Sequence, residues 1–509
     1  MYSQPPLLPA ELFSILAIRR VRNLLSQTPL AARLRLFLIP LLAASLWTPE
    51  ALANALMSRA LSERISQARR ATNDLSVHVV DAASGEEIYG YRADEQQILA
   101  SNTKLFTTAA ALDILSADFE YDTPILIRGA VYDGALGGDL AVVGSGDPSL
   151  SGRLYGGDPL YIFRTWARTL RERGVTRVRG DLYLARGLFE SQVIHPDWPL
   201  DQLSRWYEAP VDALSFADNC VLVRIKPGTK QGAPAVVELD PPVPIFRLVN
   251  RVVTSGSRRA HRVMVNREPG SHEIVVSGQF FLGSGPLDAS VTVPDPAEYF
   301  GAALRLGLAA EGVTVEGETR IVEGLPGDVW ERVASARTDL LATLKVINQQ
   351  SQNFYAESLI KLLGARSGGE GSWRQGVKIV EDFLARVGIL GVDLADGSGM
   401  SRGNRATPRH LTALLRYMYH RPEAEQFMTS LPAAGSREGT FGNHLREAPY
   451  RGNVYAKTGT LSNVSSLSGY ARGLSGRVYA FSILCNETGS VWRARQAQDA
   501  IVRALVDFG

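Results

Sequence analysis

From about residue 121 to about 321 short β-prone runs alternate with Gly, Pro and Asp turns, and helical texture stands on either side of them. A chain of 509 residues is too long for one compact core, so more than one domain is required. The simplest arrangement is a discontinuous α/β (α+β) domain, 54–122 with 336–509, that carries inserted β-rich domains at 123–335. Runs at 139–143, 181–184, 221–225, 273–276 and 289–293 read as strands of mainly β domains. Polar, loop-like segments at 228–232 and 254–259 mark a nested subdomain at about 224–288. In the flanks, 55–71 reads as a helix, and 75–80 and 88–91 as a hairpin. A helix opened by Ser101 follows, apolar nearly all round, which belongs in a core. Helices are expected again over 339–387 and 408–419. Strands follow at 453–457, 466–472 and 478–484, then a last helix at about 491–506. The early hairpin and the late strands suit one antiparallel sheet, flanked by helices.

The balance of 54 Lys+Arg against 52 Asp+Glu gives no electrostatic footprint for nucleic acid, and no basic block with interleaved aromatics occurs. The seven histidines are scattered singly without a metal-binding pair, so no metal and no cofactor are expected. Cys220 and Cys485 read as two buried thiols, with pairing in an oxidising compartment as the alternative.

Arg33 and Arg35 precede an apolar run, 36–47, followed by Ala51-Leu52-Ala53. A positive flank, a short apolar core and an A-x-A site describe a secretory signal cleaved after Ala53. Residues 1–53 are therefore read as an N-terminal extension and signal peptide, and the mature chain as periplasmic. The alternative is an uncleaved anchor, for which the run is short. The last helix carries no basic amphipathic extension, so no C-terminal anchor is expected.

Three short motifs carry chemistry. Ser101-Asn102-Thr103-Lys104 is an S-x-x-K at a helix start, where residues three apart share a face. A serine hydroxyl needs a base to become a nucleophile, and lysine serves if its pKa falls through burial or nearby positive charge. Ser351-Gln352-Asn353 is an S-x-N at another helix start, where Ser351 also fits a plain N-cap. Lys457-Thr458-Gly459-Thr460 ends a β-like run. Its glycine would admit a substrate backbone and its lysine a terminal carboxylate, although a polar strand end would read the same. Each motif alone is weak. Their order and settings together match the set of serine acyl-transferases that includes penicillin-binding proteins and β-lactamases.

With these motifs, and with Gly144-Ser145-Gly146-Asp147-Pro148-Ser149-Leu150, Asp396-Gly397-Ser398-Gly399-Met400-Ser401-Arg402, Leu431-Pro432-Ala433-Ala434-Gly435 and Gly469-Tyr470, the sequence resembles the low-molecular-weight class C penicillin-binding proteins. These are the D-Ala-D-Ala carboxypeptidase/endopeptidase family of peptidase S13. The resemblance implies a D,D-peptidase domain with large insertions, acting on peptidoglycan stem peptides and inhibited by β-lactams. It implies Ser101 as the acylated nucleophile, Lys104 as its general base, and Ser351 with Asn353 relaying protons. Lys457 and Thr458 would hold the substrate carboxylate, and backbone N–H groups of Ser101 and Thr460 would form the oxyanion hole. Gly459 and Arg402 would join the substrate-binding set. The Asp147 and Asp396–Gly399 segments are given structural roles.

In one place the sequence departs from the family. Its D-x-S-x-F stretch corresponds to Ala185-Arg186-Gly187-Leu188-Phe189, which lacks the acid that helps recognise a stem-peptide amine. Arg186 there is expected to repel an ammonium group. Two other readings stand beside the peptidase. A serine β-lactamase would need a water-activating glutamate and usually a far shorter interval between the first two motifs. A non-catalytic, penicillin-sensing wall-binding protein would not need Ser101, Lys104 and Lys457 intact.

Overall fold

A computed structural model describes residues 49–70, 72–327 and 329–509. The charged flank and apolar run of the expected leader lie outside the described residues. Its A-x-A site falls in a helix, Pro49–Ala68, that begins ahead of the expected start at 55. The chain divides into two units at Arg59, and the elements below belong to Ala60–Gly509.

One sheet organises the site. Its order is Glu87–Tyr91, Asp74–Asp81, Val478–Asn486, Val464–Arg472, Val454–Leu461, antiparallel throughout. The middle strand is buried at every position from Tyr479 to Asn486, as a strand covered on both faces must be. The helices Pro408–Tyr419 and Val491–Phe508 pack on this sheet. The helix Thr103–Leu115 is buried at every residue from Thr103 to Leu112. Among its neighbours are the helices Leu340–Gln349, Asn353–Arg366 and Trp373–Arg386, which gather Phe106, Leu344, Leu359 and Phe383 into one core. The hairpin, the late strands and the helix opened by the Ser101 turn therefore stand where the sequence pattern put them.

The middle of the chain is β-rich, as expected, and adds two helices that the sequence reading did not name. A mixed sheet runs in the order Thr319–Val322, Leu182–Ala185, Asp139–Val143, Glu120–Arg128, Glu331–Asp339. Two helices, Tyr161–Glu172 and Pro296–Ala310, complete its core. Both were legible in principle. Phe163, Trp166, Ala167 and Leu170 are the buried face of the first at helical spacing. Asp295 caps the second, with Pro296 in its first turn. Cys220–Lys226, Val236–Asp240 and Leu287–Thr292 form a further three-stranded sheet. It packs against Arg247–Ser255, Glu273–Phe281 and Arg262–Asn266 through Val223, Ile225, Val252, Ile274 and Phe280. Cys220 and Cys485 are separate buried thiols.

Candidate functional site

The Ser101 turn is clamped to the edge strand that carries Lys457. A short 3-10 turn, Ala100–Asn102, precedes the helix Thr103–Leu115, so Ser101 stands one turn before the α-helix proper. Asn102 Nδ2 donates to the Lys457 carbonyl at 3.0 Å, and Ser466 Oγ donates to the Leu99 carbonyl at 2.7 Å. Gly459 makes the approach possible. A Cβ there would lie 2.9 Å from the Ser101 nitrogen and 2.1 Å from Ser466 Oγ. The glycine thus serves the packing of the nucleophile turn against the strand, a demand that the motif alone does not reveal. Gly399 acts likewise on the other side: its φ is +86°, and a Cβ would fall 1.9 Å from the Ala100 carbonyl oxygen.

Lys104 is wholly buried. Its Nζ lies 3.0 Å from Ser101 Oγ, 2.7 Å from Asn353 Oδ1 and 2.7 Å from the Ser398 carbonyl. Asn353 opens the helix Asn353–Arg366 and donates through Nδ2 to the Tyr207 carbonyl at 2.9 Å. That bond turns its Oδ1 toward the lysine. Burial pulls the Lys104 amine down to about 7 against the opposing pull of Glu357 and Asp396, because a charge loses its hydration in a low-dielectric interior.

Ser351 is not a helix cap. Gln352 occupies that position, and Ser351 has a φ of +57°, a left-handed conformation that costs a non-glycine residue about 1–3 kcal/mol. This backbone accompanies a hydroxyl that accepts from Lys457 Nζ at 2.8 Å. Lys457 also donates to the Thr458 carbonyl at 2.8 Å. Burial, then the charge of Lys104, holds the Lys457 amine well below its usual range. A carboxylate placed beside it would reverse that preference. Thr458 Oγ1 lies 2.7 Å from Thr440 Oγ1, and Thr460 Oγ1 accepts from Arg495 at 2.9 Å.

Ser101, Ser351, Asn353, Thr458, Gly459 and Thr460 line one cavity of about 570 Å³, with Lys104 and Lys457 buried just beneath its wall. Arg402 is not part of it. Its guanidinium donates to the Ser462 carbonyl at 2.8 Å and lines a neighbouring cavity of about 480 Å³ with Met400, Leu461 and Ser462, at the far end of the same edge strand. The Arg186 expectation also changes. Arg186 pairs with the buried carboxylate of Asp212 and lies 3.7 Å from Asp295, so its charge is met by these two carboxylates.

Motif reading gave Asp396 a structural role and missed Glu357. Glu357 is fully buried and accepts from Gly397 N at 3.0 Å, Ser398 N at 2.7 Å and Trp373 Nε1 at 2.8 Å. Asp396 accepts from Gly399 N, Ser401 N, Asn404 Nδ2 and Trp198 Nε1. Together they fix the loop whose Ser398 carbonyl holds Lys104. Glu357 follows Ser351 by six positions along the chain and Asn353 by four, so it lies one turn into the helix that Asn353 opens. That spacing was the available signal. Arg495, on the last helix, carried no signal at all.

Residues 57–507 match the model of the D-Ala-D-Ala carboxypeptidase 3 (S13) family. The chain is 36% identical over 449 residues to a D-alanyl-D-alanine carboxypeptidase of an Actinomadura species, covering 85% of this chain and 81% of that one. It is 26% identical over 401 residues to the D-alanyl-D-alanine carboxypeptidase DacB of Haemophilus influenzae, covering 77% and 81%. Its fold is that of the crystal structure of penicillin binding protein 4 (dacB) from H. influenzae, with a TM-score of 0.73, 24% identity, and coverage of 87% of this chain and 98% of that one. With a serine, two buried lysines and the S-x-N asparagine converging on one cavity, and a family match running almost from end to end of the described chain, the protein belongs to the S13 family of serine D-Ala-D-Ala carboxypeptidases.

Proposed function

We propose that Ser101 attacks the D-alanyl carbonyl of a peptidoglycan stem peptide with Lys104 as its general base. The bond count at Lys104 carries this reading. A neutral amine has two N–H donors and one lone pair. Asn353 Oδ1 and the Ser398 carbonyl, both at 2.7 Å, take the two donors. The lone pair is left for the Ser101 hydroxyl at 3.0 Å, within reach for general-base transfer. The backbone N–H groups of Ser101 and Thr460 then receive the oxyanion. As the carbonyl carbon–nitrogen bond breaks, the proton that Lys104 took from Ser101 is relayed through Ser351, held by Lys457, to the leaving amine, which leaves Lys104 neutral again. Thr458 and Lys457 hold the terminal carboxylate. Water, activated again by Lys104, releases the acyl group. These steps fall to the discontinuous domain of 54–122 and 336–509, with 123–335 inserted.

The cavity lining favours a peptidase over a β-lactamase. Among the described residues, the 570 Å³ cavity has no carboxylate in its wall, and both oxygens of Glu357 are engaged by N–H donors. A β-lactam also keeps its leaving amine tethered after ring opening, where it blocks incoming water. Penicillin is therefore expected to leave one long-lived covalent adduct, on Ser101. Intact-mass analysis and peptide mapping check this, and an adduct on Ser351, or turnover within seconds, would overturn it.

We further propose export to the periplasm, on the leader pattern ahead of Ala53 and on the location of the substrate. Among the described residues no helix is long and apolar enough to cross a membrane. The mature chain is expected in the osmotic-shock fraction beginning near Asn54. Recovery of an unprocessed chain in the membrane pellet would refute this.

A further inference from the structure

The nested subdomain carries one face whose charge the chain leaves unanswered. The sheet of Arg247–Ser255, Glu273–Phe281 and Arg262–Asn266 buries Val252, Ile274 and Phe280 against the sheet beneath it. Side chains alternate along a strand, so the residues between these stand on the outer face. The register sets them in rows. Arg251, Ser277 and Met264 lie side by side, and next to them Val253, Gln279 and Arg262. Two turns adjoin that end of the sheet. One holds Lys230, and its Gly232 N–H donates to the Thr254 carbonyl at 2.9 Å. The other holds Arg258 and Arg259 and leads into the strand of Arg262. Lys230, Arg251, Arg258, Arg259 and Arg262 are all exposed, and among the described residues none has an ion-pair or side-chain hydrogen-bond partner.

Elsewhere in this part of the chain the cations are matched: Lys226 with Glu238 at 3.2 Å, Arg247 with Glu273 at 3.4 Å, Arg224 with Asp288 at 3.0 Å. The difference lies in the sequence. Segments 227–237, 249–267 and 274–287, which build this end, contain no Asp or Glu. In a chain whose formal net charge is +2, five uncompensated cations on one face make a local field of one sign. Exposed apolar side chains stand among them: Val253 at 46% and Met264 at 53%, with Leu282 at 41% beside Ser255. We propose that this face docks reversibly on a membrane surface that carries anionic phospholipid. The cations meet the headgroup phosphates. The apolar side chains decide the class of partner. A soluble polyanion answers charge alone, whereas a lipid interface also takes Val253, Met264 and Leu282 into its acyl boundary. Such docking is screened by salt and needs no membrane-spanning helix. No residue lining the catalytic cavity belongs to 224–288, so the docked face and Ser101 are separate, and the proposal does not depend on the catalytic reading.

Purified full-length enzyme would be sedimented with vesicles of phosphatidylcholine plus phosphatidylglycerol, and with vesicles of phosphatidylcholine alone, at low and at high sodium chloride. Two double variants on exposed positions accompany it, Arg258→Glu with Arg259→Glu, and Val253→Ser with Met264→Ser. Wild type is expected to partition onto the anionic vesicles at low salt, and about tenfold less onto neutral vesicles or at high salt. The charge-reversed variant should lose about tenfold or more, and the serine variant about threefold. Both should keep penicillin acylation within about twofold of wild type, since neither touches the cavity that holds Ser101. No binding by wild type, or equal binding to the two kinds of vesicle, would overturn the proposal. Full retention by the serine variant would assign the face to a soluble polyanion and overturn it as well.

Discussion

Lys104→Arg is expected to stop acylation as completely as Lys104→Ala, a loss on the order of 10²–10⁴-fold or more, as for removal of a general base. The reason is the proton. Lys104 must offer a lone pair to Ser101, and burial has pulled its amine down to about 7 so that it can. A guanidinium does not give up its proton at neutral pH, and its planar fork does not fit a site built around three acceptor-distance contacts to one nitrogen. Lys457 has different work. It donates to Ser351 and meets a carboxylate, both tasks for a cation, so Lys457→Arg should lose less than Lys457→Ala. Stopped-flow acylation by a chromogenic or fluorescent β-lactam separates the four variants. If Lys104→Arg acylates at near wild-type speed, another group is the base and the mechanism above falls.

Glu357→Gln carries the second large effect, although the residue touches no reacting atom. Three N–H groups donate to its carboxylate, and burial raises its own pKa. Glutamine keeps the shape but offers one acceptor oxygen and turns an NH₂ toward donors. A buried mismatch of this kind costs about 1–3 kcal/mol. Chemical denaturation should show that loss, and the acylation rate should fall with it as the Ser398 carbonyl loses its anchor. The pH profile gives a readout that mere destabilisation would not move. Acylation by wild type should rise with pH through about 7, since the neutral amine is the active form. The Glu357 charge favours the ammonium form of Lys104. Removing that charge lowers the lysine further, so the midpoint should shift to lower pH. An unchanged or raised midpoint would count against Glu357 as a positioning residue.

The sequence by itself determined which residue types meet at the site and in what order, because S-x-x-K and S-x-N stand at helix starts and K-T-G on a β-run, whose local signals are short-range; the structure carries that strand past the motif to Leu461. It also determined the sheet. The near-continuous burial of Val478–Asn486 and the hairpin at Asp74–Tyr91 follow from β-branched runs and turn residues that act within a few positions. The tertiary structure alone decided what lies between the motifs. Ser351 was brought to Lys457, and given its left-handed backbone, by contacts 106 residues apart in the chain. Gly459 was demanded by the approach of the Ser101 turn. Arg402 moved out of the catalytic cavity, Arg186 was paired off by Asp212, and Arg495 was brought in from the last helix. Glu357 and Asp396 became the anchors of Lys104. Each of these depends on burial and on a partner distant in sequence. A lysine becomes a base only where the interior removes its water, and no local pattern records how deep a residue will lie.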